Sequence, residues 1–121
     1  MQHDDRVYVG DMLDRGRSIA RLIAGLDYEG FVEDEPVRVA VAHYIQDMGE
    51  AASHLGGPFR GEHPDVPWSD IVAMRNRIAH GYREIDFDRV WDVASVEVPA
   101  FVELLAPLGP EGEWPAQART S

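Results

Sequence analysis

The sequence contains no cysteine and no lysine, and it has no long apolar run. Without cysteine the chain can form neither a disulfide bond nor a zinc site of the Cys type. No apolar stretch approaches the ~20 residues that a transmembrane helix needs. The first six residues, Met1 to Arg6, are polar and acidic, unlike a signal peptide. We therefore expect a cytoplasmic protein that does not contact a membrane.

Positive charge is also scarce. The 121 residues include 22 acidic and 11 basic side chains, which gives a net charge of −11. Because binding to nucleic acid by counterion release needs a basic surface, this balance argues against a DNA-binding module. It argues less against an RNA enzyme with a local basic cleft, which four nearby arginines could form: Arg75, Arg77, Arg83 and Arg89. The length suits one domain with one core.

Apolar residues recur at helical spacing in four segments, and no segment shows the alternation typical of a strand. The expected helices run from about Asp4 to Leu26, from about Asp34 to Leu55, from an N-cap at Ser69, and from an N-cap at Asp86 to Leu108. In the third helix Ile71, Met74 and Ile78 form the buried stripe. Pro99 should bend the fourth. The pattern predicts an all-α, antiparallel, up-and-down helical bundle.

The connections differ in length and character. Residues 27–33 should form a short connection, whereas residues 56–68 contain three prolines and should form an ordered cover. We place the folded domain at residues 1–108. Residues 109–121, rich in glycine and proline, should be a poorly ordered tail, in which Trp114 could dock locally.

Arg75 to Tyr82, with the sequence RNRIAHGY, brings together four chemically useful side chains. Arg75 supplies a fixed cation, Asn76 an amide, His80 a group that titrates near neutral pH, and Tyr82 a phenol. This set suits a phosphodiester, because His80 can take a hydroxyl proton and Arg75 can stabilise charge on phosphate oxygens. The alternative is that these side chains are solvated or satisfy the last carbonyls of a helix.

Helical geometry constrains this motif. At about 100° per residue, Asn76 and His80 share a face, whereas Arg75 and His80 point about 140° apart. Either the helix loosens near Gly81, or a second protomer completes the cleft.

The order Arg, Asn, three residues, His, one residue, Tyr resembles the R-N-x-x-x-H-x-Y signature of the HepT-like proteins, also called DUF86, of the HEPN superfamily. Three further segments resemble that family: Gly49 to Ala52, His63-Pro64 through Pro67-Trp68, and Asp86 to Trp91. The resemblance covers roughly Val7 to Leu105. It implies a HEPN-like bundle that forms a homodimer with two motifs facing a shared groove.

The same resemblance implies a metal-independent ribonuclease that is the toxin of a toxin–antitoxin pair, with no cofactor. Arg75 and His80 would be catalytic, and the substrate would be RNA, with tRNA one candidate. Asn76, Arg77 and Arg83 would bind or orient the substrate. Tyr82 would be the site at which a nucleotidyltransferase antitoxin of the MntA type attaches AMP, which adds negative charge that competes with RNA.

Two other functions remain open. A non-catalytic HEPN module would use the same groove to bind a nucleotide or a partner. A purely structural helical dimer would leave the polar motif unexplained.

Overall fold

The computed structural model describes residues 4–79 and 84–110, and these form a helical bundle. The described residues contain seven α-helices, in chain order α1 (Asp5–Ile23), α2 (Tyr28–Glu33), α3 (Glu35–Ser53), α4 (Gly57–Glu62), α5 (Trp68–Arg77), α6 (Phe87–Asp92) and α7 (Val98–Leu105). A π-helical turn (Val93–Glu97) joins α6 to α7, and a 3₁₀ turn (Ala106–Leu108) follows. In this described part no strand forms, and Ala79 and Ile85 make an isolated bridge. The prediction of an all-α bundle is confirmed.

The core is centred on α1 and α3, which pack mainly against each other, and α5 also packs against α3. Asp4 caps α1 by accepting a hydrogen bond from the backbone N–H of Arg6 at 3.0 Å. Val9, Met12 and Ile19 lie on one apolar face of α1 and are fully inaccessible. The bundle therefore forms because each long helix buries one apolar face.

Residues 27–33 were expected to be a plain connection, and this was wrong, because Tyr28–Glu33 forms helix α2. Asp27 caps it by accepting from the backbone N–H of Gly30 at 2.8 Å. Phe31 is fully buried, and its ring lies 5.2 Å from that of Trp91. The Tyr28 hydroxyl donates to Asp88, and this hydrogen bond raises the pKa of Tyr28. A local cap and one buried aromatic ring thus suffice for a short helix.

The proline-rich connection is ordered, as predicted, and contains α4. The Trp68 indole donates to the carbonyl of His63 at 2.9 Å, and its ring lies 5.8 Å from that of Phe59. The predicted N-cap at Ser69 was wrong, since Trp68 is the first helical residue of α5. The helix starts earlier because the carbonyl of Pro67 accepts from the N–H groups of Asp70 and Ile71, both at 3.1 Å.

The last predicted helix begins as expected but is not one continuous α-helix. Asp86 is its N-cap and accepts from the N–H groups of Asp88 and Arg89 at 3.1 and 3.2 Å. The π turn precedes Pro99, which has no N–H to donate to the carbonyl four residues before it. Five apolar residues of this segment are nevertheless buried: Val90, Ala94, Val98, Phe101 and Leu105.

The end of the described chain packs back on α1. Gly109 is buried, and a Cβ atom at that position would lie 2.4 Å from a methyl group of Leu13. Trp114 and the other residues of 111–121 lie outside the described part, so the domain boundary at residue 108 stays a prediction. None of the helices in residues 4–79 and 84–110 is both long and apolar enough to cross a membrane.

Candidate functional site

The candidate site lies at the C-terminal end of α5. The buried residues Met74 and Ile78 hold this end against the core, and both are fully inaccessible. Arg75, Asn76 and Arg77 lie between them in the sequence, with Asn76 exposed and the two arginines partly exposed. The N–H of Asp86 donates to the carbonyl of Ile78 at 2.7 Å, so the start of α6 lies beside the end of α5.

Helix α5 ends at Arg77, three residues before His80, with Ile78 as its C-cap. The angle of about 140° between Arg75 and His80 requires a helix that continues through both residues. Because α5 stops before His80, the offset calculated for one continuous helix does not apply. The interruption precedes Gly81, because Ala79 is already bridged to Ile85.

Three of the predicted site residues, His80, Tyr82 and Arg83, lie outside the described residues. The structure therefore places Arg75, Asn76 and Arg77. The side-chain amide of Asn76 has no hydrogen-bond partner among residues 4–79 and 84–110.

Arg75 is held by an acidic residue of α3. Its Nη1 atom donates to Oε2 of Glu50, and its side chain remains 40% exposed. Glu50 in turn contacts His54, the C-cap residue of α3, with 3.3 Å between Oε1 of Glu50 and Nε2 of His54. The His54 ring stacks on Tyr8 of α1, with ring centroids 5.2 Å apart. Arg75 is thus connected through Glu50 and His54 to two other helices.

Gly49 explains how Glu50 comes within reach of Arg75. A Cβ atom at Gly49 would lie 3.3 Å from the carbonyl oxygen of Val72 and 3.4 Å from that of Ile71. A hydrogen atom at this position lets the backbones of α3 and α5 approach closely. The segment Gly49 to Ala52 therefore supplies a close helix contact, an acidic partner for Arg75, and two buried alanines.

Arg77 has a different environment. Its Nη2 atom lies 2.6 Å from Oε1 of Glu97 in the π turn and 3.2 Å from the carbonyl oxygen of Asp70. Arg89, 63% exposed, lies 3.5 Å from Asp86. Each described arginine of the expected basic cleft therefore has an acidic partner, and Arg75 and Arg77 are paired with carboxylates on different elements.

Sequence reasoning missed Glu50 and His54 as neighbours of the site. Their spacing of four residues in a helix predicts a contact between the two side chains. The pairing of Glu50 with Arg75 spans 25 residues and depends on how α3 packs against α5. The resemblance of Gly49 to Ala52 to the HepT-like proteins was the available signal.

Two further observations concern possible ligand sites elsewhere in the described chain. An apolar groove of about 310 Å³ lies between α1 and α7, and its lining contains one charged residue, Arg17. Within residues 4–79 and 84–110 no three His, Asp or Glu side chains form a group that could hold a metal ion.

Comparison with known proteins assigns the family. The family model "Ribonuclease HepT-like" matches residues 12–108, which include α3, α5 and the whole motif. The chain belongs to the ribonuclease HepT-like family.

Individual relatives agree with the family assignment. The HepT-like chain is 29% identical over 98 residues to the candidate RNase MJ1380 of Methanocaldococcus jannaschii, covering 81% of this chain and 90% of that protein. It is 29% identical to the candidate RNase TTE0752 of Caldanaerobacter subterraneus, over 78% of this chain and 84% of that one. The match to "Probable ribonuclease HepT" of Thermococcus cleftensis is 24% identical and covers 83% and 91%. No solved structure matches the chain significantly.

Proposed function

We propose that this protein is a metal-independent endoribonuclease of the HEPN type and the toxin of a toxin–antitoxin module acting in the cytoplasm. The observation that carries the proposal is the position of Arg75. It is a half-exposed guanidinium fixed at the end of α5, next to the rest of an intact R-N-x-x-x-H-x-Y motif, in a chain of the HepT-like family. The names of the relatives, which describe RNases, support the same activity.

In the proposed reaction RNA supplies its own nucleophile. The 2′-oxygen attacks the adjacent phosphorus, the P–O5′ bond breaks, and the products carry a 2′,3′-cyclic phosphate and a 5′-hydroxyl. His80 takes the 2′-hydroxyl proton or donates a proton to the leaving 5′-oxygen. Arg75 stabilises the charge on the equatorial oxygens, and a guanidinium can do so with two parallel hydrogen bonds.

The remaining motif residues have supporting roles in this proposal. Asn76 orients His80 or the substrate, which fits its exposed position without a partner among the described residues. Arg83 contributes to RNA binding. Arg77 was expected to do the same, but its contacts with Glu97 and Asp70 favour a role in anchoring α5.

A MntA-type nucleotidyltransferase is the proposed antitoxin, and Tyr82 is its target. In AMP transfer the Tyr82 oxygen attacks the α-phosphorus of ATP and pyrophosphate leaves. The attached phosphate places negative charge two residues from His80 and competes with RNA for the same cations. We also propose that the active form is a homodimer.

One experiment tests the catalytic proposal. Purified protein is incubated with an RNA oligonucleotide and with DNA of the same sequence, in the presence of EDTA. RNA should be cut, with a 2′,3′-cyclic phosphate on the upstream fragment by mass spectrometry, and DNA should stay intact because it has no 2′-hydroxyl. Arg75→Ala and His80→Ala should each lower the rate ~10²–10⁴-fold. Arg21→Ala, at an exposed position of α1, is the matched control and should cut at the wild-type rate.

A non-catalytic HEPN module is the second candidate function. It predicts that wild-type protein binds RNA or a nucleotide tightly and leaves RNA uncut. Activity that EDTA abolishes would contradict the metal-independent mechanism while leaving a ribonuclease.

A further inference from the structure

Both carboxylate oxygens of Glu50 lie close to a basic side chain. Oε2 accepts from Nη1 of Arg75, and Oε1 lies 3.3 Å from Nε2 of His54. The carboxylate therefore lies between Arg75 of α5 and His54, the C-cap residue of α3. The hydrogen bond to Glu50 restricts the orientations available to the Arg75 guanidinium.

Three helices maintain this arrangement. Gly49 permits the close approach of α3 and α5, and His54 is held in turn by its stacking on Tyr8 of α1. The side chains are partly solvated, at 56% exposure for Glu50 and 40% for Arg75. Ion pairs this exposed contribute little to the stability of a fold. The contact therefore affects the position of the guanidinium more than the stability of the bundle.

The contact leaves Arg75 able to bind phosphate. Glu50 engages Nη1, and a guanidinium has five N–H donors in a planar fork. Fixing one end of the fork orients the remaining donors before substrate arrives. Preorganised donors accelerate a reaction because no reorganisation is needed when charge develops.

We propose that Glu50 is a positioning residue for RNA cleavage, and that it acts by orienting Arg75. This inference rests on the proposed ribonuclease function. Glu50 itself would contact neither the RNA nor the reacting atoms.

Asp47 offers a matched control for charge. It lies one turn before Glu50 in α3, and its Oδ2 atom is 3.3 Å from Nε of Arg15 and 3.6 Å from Nε2 of His43. Asp47 and Glu50 thus each pair with one arginine and one histidine, and only Glu50 contacts Arg75 among the described residues. Removing either negative charge should affect the long-range attraction of RNA to a similar extent.

The experiment compares kcat and KM for wild type, Glu50→Gln, Glu50→Asp and Asp47→Asn on one RNA oligonucleotide. Glu50→Gln should lower kcat by ~10- to 100-fold, since small displacements of a catalytic group have effects of this size. Its KM should be unchanged or lower, because a charge that repels phosphate is gone. Glu50→Asp keeps the charge but shortens the reach, so kcat should fall here too. Asp47→Asn should retain the wild-type kcat.

A double-mutant cycle separates positioning from other effects. In an Arg75→Lys background, Glu50→Gln should cause almost no further loss of kcat, because the two residues act as one unit. Thermal midpoints of all variants should match wild type, which makes a loss of kcat attributable to the site.

The outcomes distinguish the inference from the function on which it rests. If wild type cuts RNA and Glu50→Gln has the same kcat, the positioning role is wrong and the ribonuclease proposal stands. A higher kcat in Glu50→Gln would instead mean that Glu50 competes with phosphate for Arg75. Equal kcat losses in Glu50→Gln and Asp47→Asn would mean that the loss comes from the removed negative charge, and the positioning role would be wrong. If wild type cuts no RNA, both proposals fall.

Discussion

Arg75 and Arg77 are two residues apart in α5, yet their guanidinium groups bind carboxylates on different elements. Two residues turn a helix by about 200°, so the two side chains leave it in nearly opposite directions. Arg75 reaches Glu50 on α3, and Arg77 reaches Glu97 in the π turn. A count of arginines therefore overstates the basic surface near the motif, and Arg75 is the described arginine best placed for substrate.

A substitution that removes one oxygen atom tests the proposed modification of Tyr82 separately from catalysis. Tyr82→Phe removes the hydroxyl that would attack ATP and keeps the ring. We expect the variant to cut RNA at close to the wild-type rate and to gain no AMP when incubated with ATP and a MntA-type nucleotidyltransferase. Intact-protein mass spectrometry measures the modification.

Tyr28→Phe is the control for this prediction. Tyr28 lies outside the motif and is 41% exposed, and its hydroxyl donates a hydrogen bond to Asp88. Tyr28→Phe should gain AMP as wild type does. Modification that persists in Tyr82→Phe would show that another residue is the target.

At the level of helices, the contact between α3 and α5 determines the geometry around Arg75. Gly49 allows the two backbones to approach, and the buried residues Ile71, Met74 and Ile78 hold α5 in place. The same contact brings Glu50 to Arg75. Stability and site geometry are therefore coupled through one position that has no side chain.

Gly49→Val tests this coupling. The added atoms would meet the carbonyl oxygens of Ile71 and Val72, and the helices must separate to admit them. We expect the free energy of unfolding to fall by about 1–3 kcal/mol, as for other overpacked contacts. RNA cleavage should fall as well, because Glu50 moves away from Arg75. Chemical denaturation and a cleavage assay measure the two effects.

Gly61→Val provides the comparison for that variant. Gly61 lies on the exposed surface of α4, and no heavy atom lies within 4 Å of a Cβ placed there. This substitution should change the free energy of unfolding by less than about 1 kcal/mol and leave cleavage intact. Similar losses in both variants would mean that the close contact at Gly49 is unimportant.

For the whole molecule, we proposed a homodimer in which the motifs of two protomers face a shared groove. The interrupted helix removes the angular argument for a second protomer, so the proposed homodimer rests on the family resemblance. We expect sedimentation to show a dimer at tens of micromolar, a concentration suited to weak interfaces.

Mixing two inactive variants gives a sharper test of this dimer. If Arg75 of one protomer works with His80 of the other, Arg75→Ala and His80→Ala proteins should together recover about a quarter of wild-type activity, since half of the dimers then have one intact site. Neither variant alone should be active. A dimer without recovery would place both residues in the same protomer, and a monomer would contradict the proposed assembly.

The sequence by itself determined the features that depend on neighbours along the chain. The buried stripe of Ile71, Met74 and Ile78 follows from helical spacing, and the cap at Asp86 follows from a side chain that bonds N–H groups two and three residues later. The motif and its family resemblance are likewise properties of the sequence, because fixed spacing is visible without a fold.

Tertiary structure decided which distant groups meet. The end of α5 before His80 coincides with the bridge between Ala79 and Ile85, and the start of α5 at Trp68 follows the packing and backbone bonds of its approach segment. The carboxylate that holds Arg75 lies 25 residues away, and the one that holds Arg77 lies in a turn before Pro99. Local periodicity cannot specify such pairs, because each depends on the distance and rotation between two packed helices.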